Sequence, residues 1–216
     1  GIIPPDQFIP LAASTGLIAP ITQQLMSQVE HSLNSVAHFL PNQFHIGINI
    51  SPAHFLSPGL EDSCMKFLST FTKGKVKLVL ELTERNQLSV TAESKALFAK
   101  LHQQGVLFAL DDFGTGYATH SYLQSFPVDY IKLDKGFVQM VGVDEISGHI
   151  VENVIELARR LGIDIIAEGI ETESQELFMT EKGSCYLQGY RYAPPLPAEQ
   201  FIAEWVYNSG NGKNQR

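Results

Sequence analysis

The chain has 216 residues, 44% of them hydrophobic, and a formal net charge of -8 at pH 7. This length is enough for one sizeable hydrophobic core, so we expect a single domain. The acidic balance argues against DNA, RNA or an anionic membrane as the main partner, because these surfaces attract clustered lysine and arginine.

The two cysteines, Cys64 and Cys185, stand far apart and form no CxxC or Cys/His spacing. They therefore indicate neither a zinc site nor a disulfide framework, and they suit a reducing cytoplasm.

No apolar run approaches the roughly 18 residues needed to span a bilayer. We expect any tether to the inner membrane to come from sequence outside this chain.

The first part of the chain is predicted to form helices followed by a strand. Asp6 is expected to cap a short helix over 7–14, and apolar residues at helical spacing predict a second helix over 18–40. Strict alternation over 45–51 predicts a strand, and Ser51-Pro52 and Ser57-Pro58 are each typical of a helix start. The core-facing stripe of the second helix is expected at Ile21, Leu25, Val29, Leu33, Val36 and Leu40.

Strands and helices alternate through the rest of the chain, which is typical of parallel βαβ units. Strands are predicted at 77–83, 106–111, 130–134, 164–168 and 186–190. Helices are predicted at 91–104, just before Pro127, at 146–161 and at 198–207, and residues 208–216 are expected to be a disordered tail. The helix over 146–161 is expected to bury Ile150, Val151, Val154, Leu157, Ala158 and Leu161.

The six predicted strands share one feature, which is an aliphatic face opposed by a polar residue at or near the carboxyl end. These polar residues are Asn49, Glu81, Asp111, Lys132, Glu168 and Gln188. In a (β/α)8 barrel the carboxyl ends of the strands meet at one mouth, whereas an open doubly wound sheet would not gather six of them. We therefore predict an α/β fold of the TIM (β/α)8 barrel type, with about six barrel strands and one domain over residues 1–207.

Two adjacent aspartates, Asp111 and Asp112, end the third predicted strand and precede a glycine-rich turn. Carboxylates this close repel each other, and a divalent cation would let both stay ionised. Successive side chains of a strand point to opposite faces, so the two can converge only where the strand ends. A solvated Asp-Asp turn would explain the pair by itself, but the other polar strand ends favour a metal site.

Together these strand ends supply hard oxygen ligands, which select Mg2+, Mn2+ or Ca2+. Two such ions can assist an in-line displacement at phosphorus. Lys132 would orient the attacking water or offset phosphate charge, although it could simply pair with Asp134 or Glu168. A Schiff-base aldolase using Lys132 and an enolase-like site stay open on these residues alone. The proposed metal ligands are Asn49, Glu81, Asp111, Asp112 and Glu168.

Six segments occur in the order and spacing of known motifs: NISPAHF, ELTE, LDDFGTGY, VDYIKLDKGFV, IIAEGIET and YLQGYRY. Over residues 3–205 the chain resembles the EAL-domain family, which are bacterial phosphodiesterases for cyclic di-GMP. The resemblance implies a modified TIM barrel and a metal-dependent hydrolysis of one phosphodiester, which gives the linear dinucleotide pGpG.

The resemblance also implies a role for each matching residue. Asn49, Glu81 and Asp111 would bind one Mg2+ or Mn2+ ion, and Asp111, Asp112 and Glu168 the second, with Glu168 also assisting the water. Lys132 would position the nucleophile, and Asp134 and Gln188 would lie beside the substrate. Glu84 would hold the loop 113–121, which family members use for dimer communication. Ca2+ is expected to inhibit, because its larger and looser coordination would misplace the water.

The partners implied by the resemblance are cyclic di-GMP, a second copy of the chain, and a regulatory or membrane domain fused upstream. The chain departs from the family pattern at its start. The glutamate of the Glu-Ala-Leu signature, which is a further metal ligand, and a nearby arginine have no counterpart. We therefore expect an N-terminally truncated domain, without its first two strands, that hydrolyses cyclic di-GMP poorly. The alternative is a non-catalytic EAL module that binds cyclic di-GMP or a protein partner.

Overall fold

The structure is a computed structural model, and it describes residues 3–84, 88–114 and 120–207. The predicted tail over 208–216 lies outside these residues. No helix within the described ranges is long and apolar enough to cross a membrane.

The described elements alternate helices with six strands. The chain begins with α1 (Pro5–Ser14), α2 (Ile18–Asn34), a 3-10 turn (Ala37–Phe39), β1 (Phe44–Asn49), α3 (Pro52–Phe55) and α4 (Leu60–Thr70). It continues with β2 (Val76–Thr83), α5 (Ala92–Gln103), β3 (Leu107–Phe113), α6 (His120–Ser125), β4 (Tyr130–Leu133) and α7 (Lys135–Gln139). The last elements are α8 (Glu145–Leu161), β5 (Asp164–Glu168), α9 (Glu173–Lys182), β6 (Tyr186–Gln188), α10 (Ala198–Phe201) and a π turn (Ile202–Val206).

The six strands form one sheet in the order β1-β2-β3-β4-β5-β6. β3 pairs in parallel with β4, β4 with β5, and β5 with β6. A doubly wound sheet reverses its strand order at a switch point, whereas the strands of a (β/α)8 barrel follow one another without reversal. The predicted α/β class of the TIM barrel type, with six strands in this chain, is therefore confirmed.

The chain divides into two compact units. The first contains Gly1–Leu80, Thr91–Leu107 and Leu196–Arg216, and the second contains Glu81–Val90 and Phe108–Pro195. The core of the first unit includes the fully buried rings of Phe55, Phe67 and Phe98. The core of the second unit is built from the aliphatic faces of its strands, and it includes Phe108, Ile131, Ile165, Ala167 and Ile170.

The helix α2 differs from its prediction in length and in the stripe that it buries. It ends at Asn34, and Val36 and Leu40 are buried beyond that end, on either side of the 3-10 turn. Ile21 and Leu25 were predicted to face the core but are exposed. Consecutive helical residues are 100° apart, and packing against α4 covers the stripe one residue further along, although that stripe includes the polar residues Thr22 and Glu30. The buried residues are Ile18, Thr22, Met26, Glu30 and Leu33.

Two predicted helix starts are wrong and one is confirmed. The helix α1 begins at Pro5 with Pro4 as its N-cap, so Asp6 lies inside the helix. The Ser51 hydroxyl caps α3 as predicted, because it accepts a hydrogen bond from the His54 backbone N–H at 3.2 Å. The Ser57 hydroxyl instead donates to the His54 carbonyl at 2.7 Å, and α4 begins only at Leu60.

The helices of the second half also differ from their predictions in part. The helix α8 buries Val151, Ile155 and Ala158, whereas Ile150 and Leu161, which were predicted to be buried, are exposed. The predicted helix over 198–207 consists of α10 followed by a π turn. The sequence pattern predicted neither α7 nor α9. The helix α9 buries Gln175 and Met179. One polar and one apolar position do not form an apolar stripe that the sequence could reveal.

His54 in α3 is fully buried, and within the described part of the chain neither ring nitrogen has a hydrogen-bond partner. Burial lowers the pKa of His54 below its usual value of 6.5, because the charged ring would lose its hydration. The unfolded chain therefore takes up a proton at higher pH than the folded chain does. We expect His54 to make the free energy of unfolding fall as the pH drops below about 6.5, by up to about 1.4 kcal/mol per pH unit.

The variant His54→Leu removes the titrating ring and keeps the site apolar, so its stability should depend less on pH. Urea unfolding at several pH values from about 7.5 to about 5 measures this dependence. His31→Leu is the matched control, because His31 is exposed on α2. If His54→Leu and the unmodified protein lose the same stability on acidification, His54 is not the group responsible.

Candidate metal centre

A β-bulge brings Asp111 and Asp112 to one place. Leu110 is paired with Ile131 of β4 and Phe113 with Leu133, so two residues of β3 stand opposite the single residue Lys132. Asp112 has a left-handed backbone with φ 56°, and its N–H donates to Asp111 Oδ1 at 2.9 Å. A bulge interrupts the alternation of side chains and can re-aim one of them. The two aspartates therefore converge inside β3, which continues to Phe113, and not at the end of the strand as predicted.

The ammonium group of Lys132 lies among three carboxylates from three other strands. Its Nζ is 2.8 Å from Glu81 Oε2, 3.2 Å from Asp111 Oδ1 and 2.8 Å from Glu168 Oε1. The Lys132 side chain is 6% exposed, and the three carboxylate side chains are 11% to 21% exposed. All four residues belong to the second unit. Lys132 thus pairs with Glu168, which was one of the predicted alternatives, and also with Glu81 and Asp111.

Burial and mutual charge shift the pKa values in this cluster. Burial alone would lower the pKa of Lys132, but attraction to Glu81, Asp111 and Glu168 outweighs it, and the pKa is raised. Burial raises the pKa of Glu81 and of Glu168, because the loss of hydration exceeds the attraction of Lys132, and Asp111 adds repulsion. The cluster therefore holds a fixed cation beside carboxylates that are costly to keep ionised without a further positive charge.

Asp111, Asp112 and Glu168 each offer an oxygen atom, and these three atoms lie within 4.8 Å of one another. This is the donor type and spacing that suits a divalent cation such as Mg2+, Mn2+ or Ca2+. Glu81 is linked to the same group by Lys132, whose ammonium group contacts both Glu81 and Asp111. The residues therefore fit a metal site. Asn49 ends β1 in the first unit, where its side chain is exposed.

The remaining predicted site residues lie close to this group in the chain and in the sheet. Glu84 Oε2 accepts a hydrogen bond from the Gly114 N–H at 2.7 Å, and the Glu84 N–H donates to the Asp111 carbonyl at 2.9 Å. Gln188 is the partner of Glu168 in the pairing of β5 with β6. Asp134 caps α7, because its Oδ1 accepts from the Gly136 N–H at 2.8 Å. Within the loop 113–121, residues 115–119 lie outside the described part of the chain.

Sequence reasoning missed the supports of the site. The capping role of Asp134 could have been read from its place directly after a predicted strand, because aspartate is a preferred N-cap residue. The helix α7 packs against Gly114 and Gly169. The sequence offered one indication of this packing, because each glycine follows shortly after a predicted metal ligand. A glycine at such a point often marks a close approach of another part of the backbone.

The family model described as the EAL domain matches residues 1–195 of the chain. The cyclic di-GMP phosphodiesterase PdeL of Escherichia coli K12 is 59% identical over 210 residues, which are 97% of this chain and 58% of PdeL. The probable cyclic di-GMP phosphodiesterase PdeG of the same organism is 45% identical, over 91% of this chain and 39% of PdeG. The chain thus spans between about two fifths and three fifths of the length of these relatives.

The solved complex of the PaMucR phosphodiesterase with c-di-GMP is similar in structure. It superimposes with a TM-score of 0.81 at 34% sequence identity, and the match covers 93% of this chain and 81% of that one. The similarity therefore extends through both units of the chain rather than through a single motif.

Proposed function

The chain belongs to the EAL domain family, and from this premise we propose that it serves the metal-dependent hydrolysis of cyclic di-GMP to linear pGpG. The observation that carries the proposal is the arrangement of Asp111, Asp112 and Glu168 around one point beside Lys132. The relative PdeL is named as a cyclic di-GMP phosphodiesterase, and PaMucR was solved with c-di-GMP, which supports this substrate.

The proposed metals are two ions of Mg2+ or Mn2+. Asn49, Glu81 and Asp111 would hold one of them, and Asp111, Asp112 and Glu168 would hold the other. When bound, such ions lower the pKa of water and offset charge on a phosphodiester. The second set is supported by the three oxygen atoms that lie within 4.8 Å of one another.

Lys132 acts in this proposal as a charged hydrogen-bond donor. Its raised pKa keeps the amine protonated at neutral pH, so it can orient the attacking water and face a phosphate oxygen. A Schiff-base lysine must instead lose its proton before it can attack a carbonyl, and such lysines have a lowered pKa. The direction of the pKa shift therefore favours phosphate chemistry over the aldolase alternative.

Glu168 is proposed to accept a proton from the attacking water. Its carboxylate lies beside the charged donor that would orient this water, since Lys132 Nζ is 2.8 Å from Glu168 Oε1. Its partner in the sheet, Gln188, and the helix cap Asp134 would lie beside the substrate. Glu84, which is bonded to Gly114, would hold the following loop in place.

The proposal is tested by incubating the natural full-length protein with cyclic di-GMP and following pGpG by chromatography. We expect turnover with Mg2+ or Mn2+, loss of turnover with EDTA, and recovery when Mn2+ is returned in excess. Binding of cyclic di-GMP without turnover in any metal would instead assign a non-catalytic EAL module. An imine trapped by borohydride on Lys132 would assign a lyase.

Ca2+ is expected to inhibit the same reaction. It is larger than Mg2+ and binds in looser coordination, so it should occupy the carboxylates without holding the water in line with the phosphorus. We expect added Ca2+ to lower the rate in Mg2+ at least tenfold when it saturates the site, and more Mg2+ to reverse the effect. Turnover in Ca2+ as fast as in Mg2+ would contradict this assignment of the ligands.

We further propose that residues 1–207 work as one catalytic domain in the cytoplasm. A second copy of the chain and a fused regulatory or membrane domain are the proposed partners. The length of the relatives supports the second of these, because PdeL and PdeG contain sequence beyond the matched region. Light scattering of the natural full-length protein, with and without cyclic di-GMP, tests for a dimer.

A further inference from the structure

The short helix α7 follows β4 directly and lies beside the proposed metal ligands. It begins at Lys135, after Lys132 and the cap Asp134, and it contacts both β5 and α8. Val138 is fully buried and anchors the helix in the core of the second unit. The helix is therefore fixed to the strand that carries Lys132.

The first contact of α7 is with the end of β3. Gly114 follows Asp112 by two residues, and a Cβ atom placed on it would lie 2.7 Å from Cε2 and 3.1 Å from Cζ of Phe137. The Phe137 ring therefore rests directly on the Gly114 backbone. The same glycine donates its N–H to Glu84 at 2.7 Å, so the end of β3 is held between Glu84 and Phe137.

The second contact of α7 is with the end of β5. Gly169 follows Glu168 directly, and a Cβ atom placed on it would lie 2.5 Å from Cβ and 3.2 Å from Cα of Lys135. Because one of these atoms belongs to the backbone, a flexible side chain cannot relieve the approach. The start of α7 thus touches the residue next to Glu168.

The two contacts join strands that are not neighbours. β3 and β5 are separated by β4, and at the usual spacing their backbones are about 10 Å apart. The oxygen atoms of Asp111, Asp112 and Glu168 nevertheless lie within 4.8 Å of one another. Metal and catalytic groups must be held to within about 0.5 Å by the residues around them. One helix that contacts the ends of both strands can set this separation.

We propose that α7 holds the carboxylates of β3 and β5 at the separation that a metal ion requires, and that Phe137 is a positioning residue for this site. The inference rests on the proposed function, since it takes Asp111, Asp112 and Glu168 as metal ligands. It assigns Phe137 no contact with substrate or metal. A ring that only filled space would affect stability and leave metal affinity unchanged.

The test is a Mn2+ titration of the intact protein, followed by the EPR signal of free Mn2+, with the melting temperature measured in parallel. We expect Phe137→Ala to raise the Kd for Mn2+ about 10- to 100-fold, as the loss of a ligand-orienting group typically does. Phe137→Leu, which keeps an apolar side chain over Gly114, should restore much of the affinity. Met140→Ala is the matched control, since Met140 lies just past α7 and is exposed.

The outcomes separate the inference from the proposed function. If the unmodified protein binds no Mn2+, the metal site itself is wrong. If it binds Mn2+ and folded Phe137→Ala binds it equally well, the positioning role is overturned. If Phe137→Ala does not fold, Gly114→Ala presses on the same contact from the other side and should also raise the Kd; unchanged affinity in that variant would overturn the role of α7.

Discussion

Replacing Asp111 with asparagine is expected to lower both Mn2+ affinity and the turnover of cyclic di-GMP about a thousandfold. Asp111 belongs to both proposed ligand sets, so the substitution should lower the affinity for both metal ions. The loss of several kcal/mol of charge stabilisation corresponds to about three factors of ten in rate. The fold should survive, because the amide oxygen of asparagine can still accept the hydrogen bond that Asp112 N–H makes to Asp111.

The measurements are a Mn2+ titration and the rate of pGpG formation by the natural full-length protein. Asp164→Asn is the matched control, because Asp164 begins β5 and lies at the opposite end of that strand from Glu168. It should change affinity and rate less than twofold. An Asp111→Asn variant with near-normal turnover would show that the ligands are assigned wrongly.

Lys132→Met is expected to destabilise the protein and to end turnover. The substitution keeps the length of the side chain but leaves Glu81, Asp111 and Glu168 without the cation that faces them. Removing one partner from a buried ionic group typically costs about 3–5 kcal/mol. Loss of the group that is proposed to orient the water should lower the rate about a hundredfold or more.

A second measurement distinguishes this effect from ordinary loss of packing. Without Lys132 the carboxylates are free to bind a cation, so Mn2+ should raise the melting temperature more in Lys132→Met than in the unmodified protein. Lys100→Met is the control, since Lys100 forms an exposed pair with Glu61 and should give little change. Equal, non-zero shifts in all three proteins would show that Lys132 does not compete with the cation, and no shift in any of them would contradict the proposed metal site.

The alternation of side chains between the two faces of each strand allowed most of the candidate site to be predicted. Glu81, Asp111, Lys132 and Glu168 were selected because each opposes an aliphatic face near a carboxyl end, and the structure brings these four together. A period of two is short and strict, so a strand of five residues is enough to reveal it. Their type also favours the proposed chemistry, because carboxylate oxygens suit hard divalent ions.

The parts that could not be predicted depend on contacts made elsewhere in the chain. The stripe that α2 buries includes Thr22 and Glu30, whereas Ile21 and Leu25 are exposed, so the packing partner and not apolarity decides which stripe is covered. Ser57 satisfies the rule for a helix cap, but its hydroxyl reaches back to His54. The bulge in β3 requires a left-handed backbone at Asp112, a conformation that is uncommon outside glycine even though aspartate adopts it more readily than most residues.

At Asp112 the left-handed backbone favours a different residue from the one that the proposed metal site requires. A residue with a Cβ atom loses about 1–2 kcal/mol in this conformation, and glycine would adopt it without that loss. Glycine, however, brings no carboxylate. A search for more stable variants would therefore favour Asp112→Gly while removing a proposed ligand, so thermostability screens of this protein need a metal-binding readout at every round.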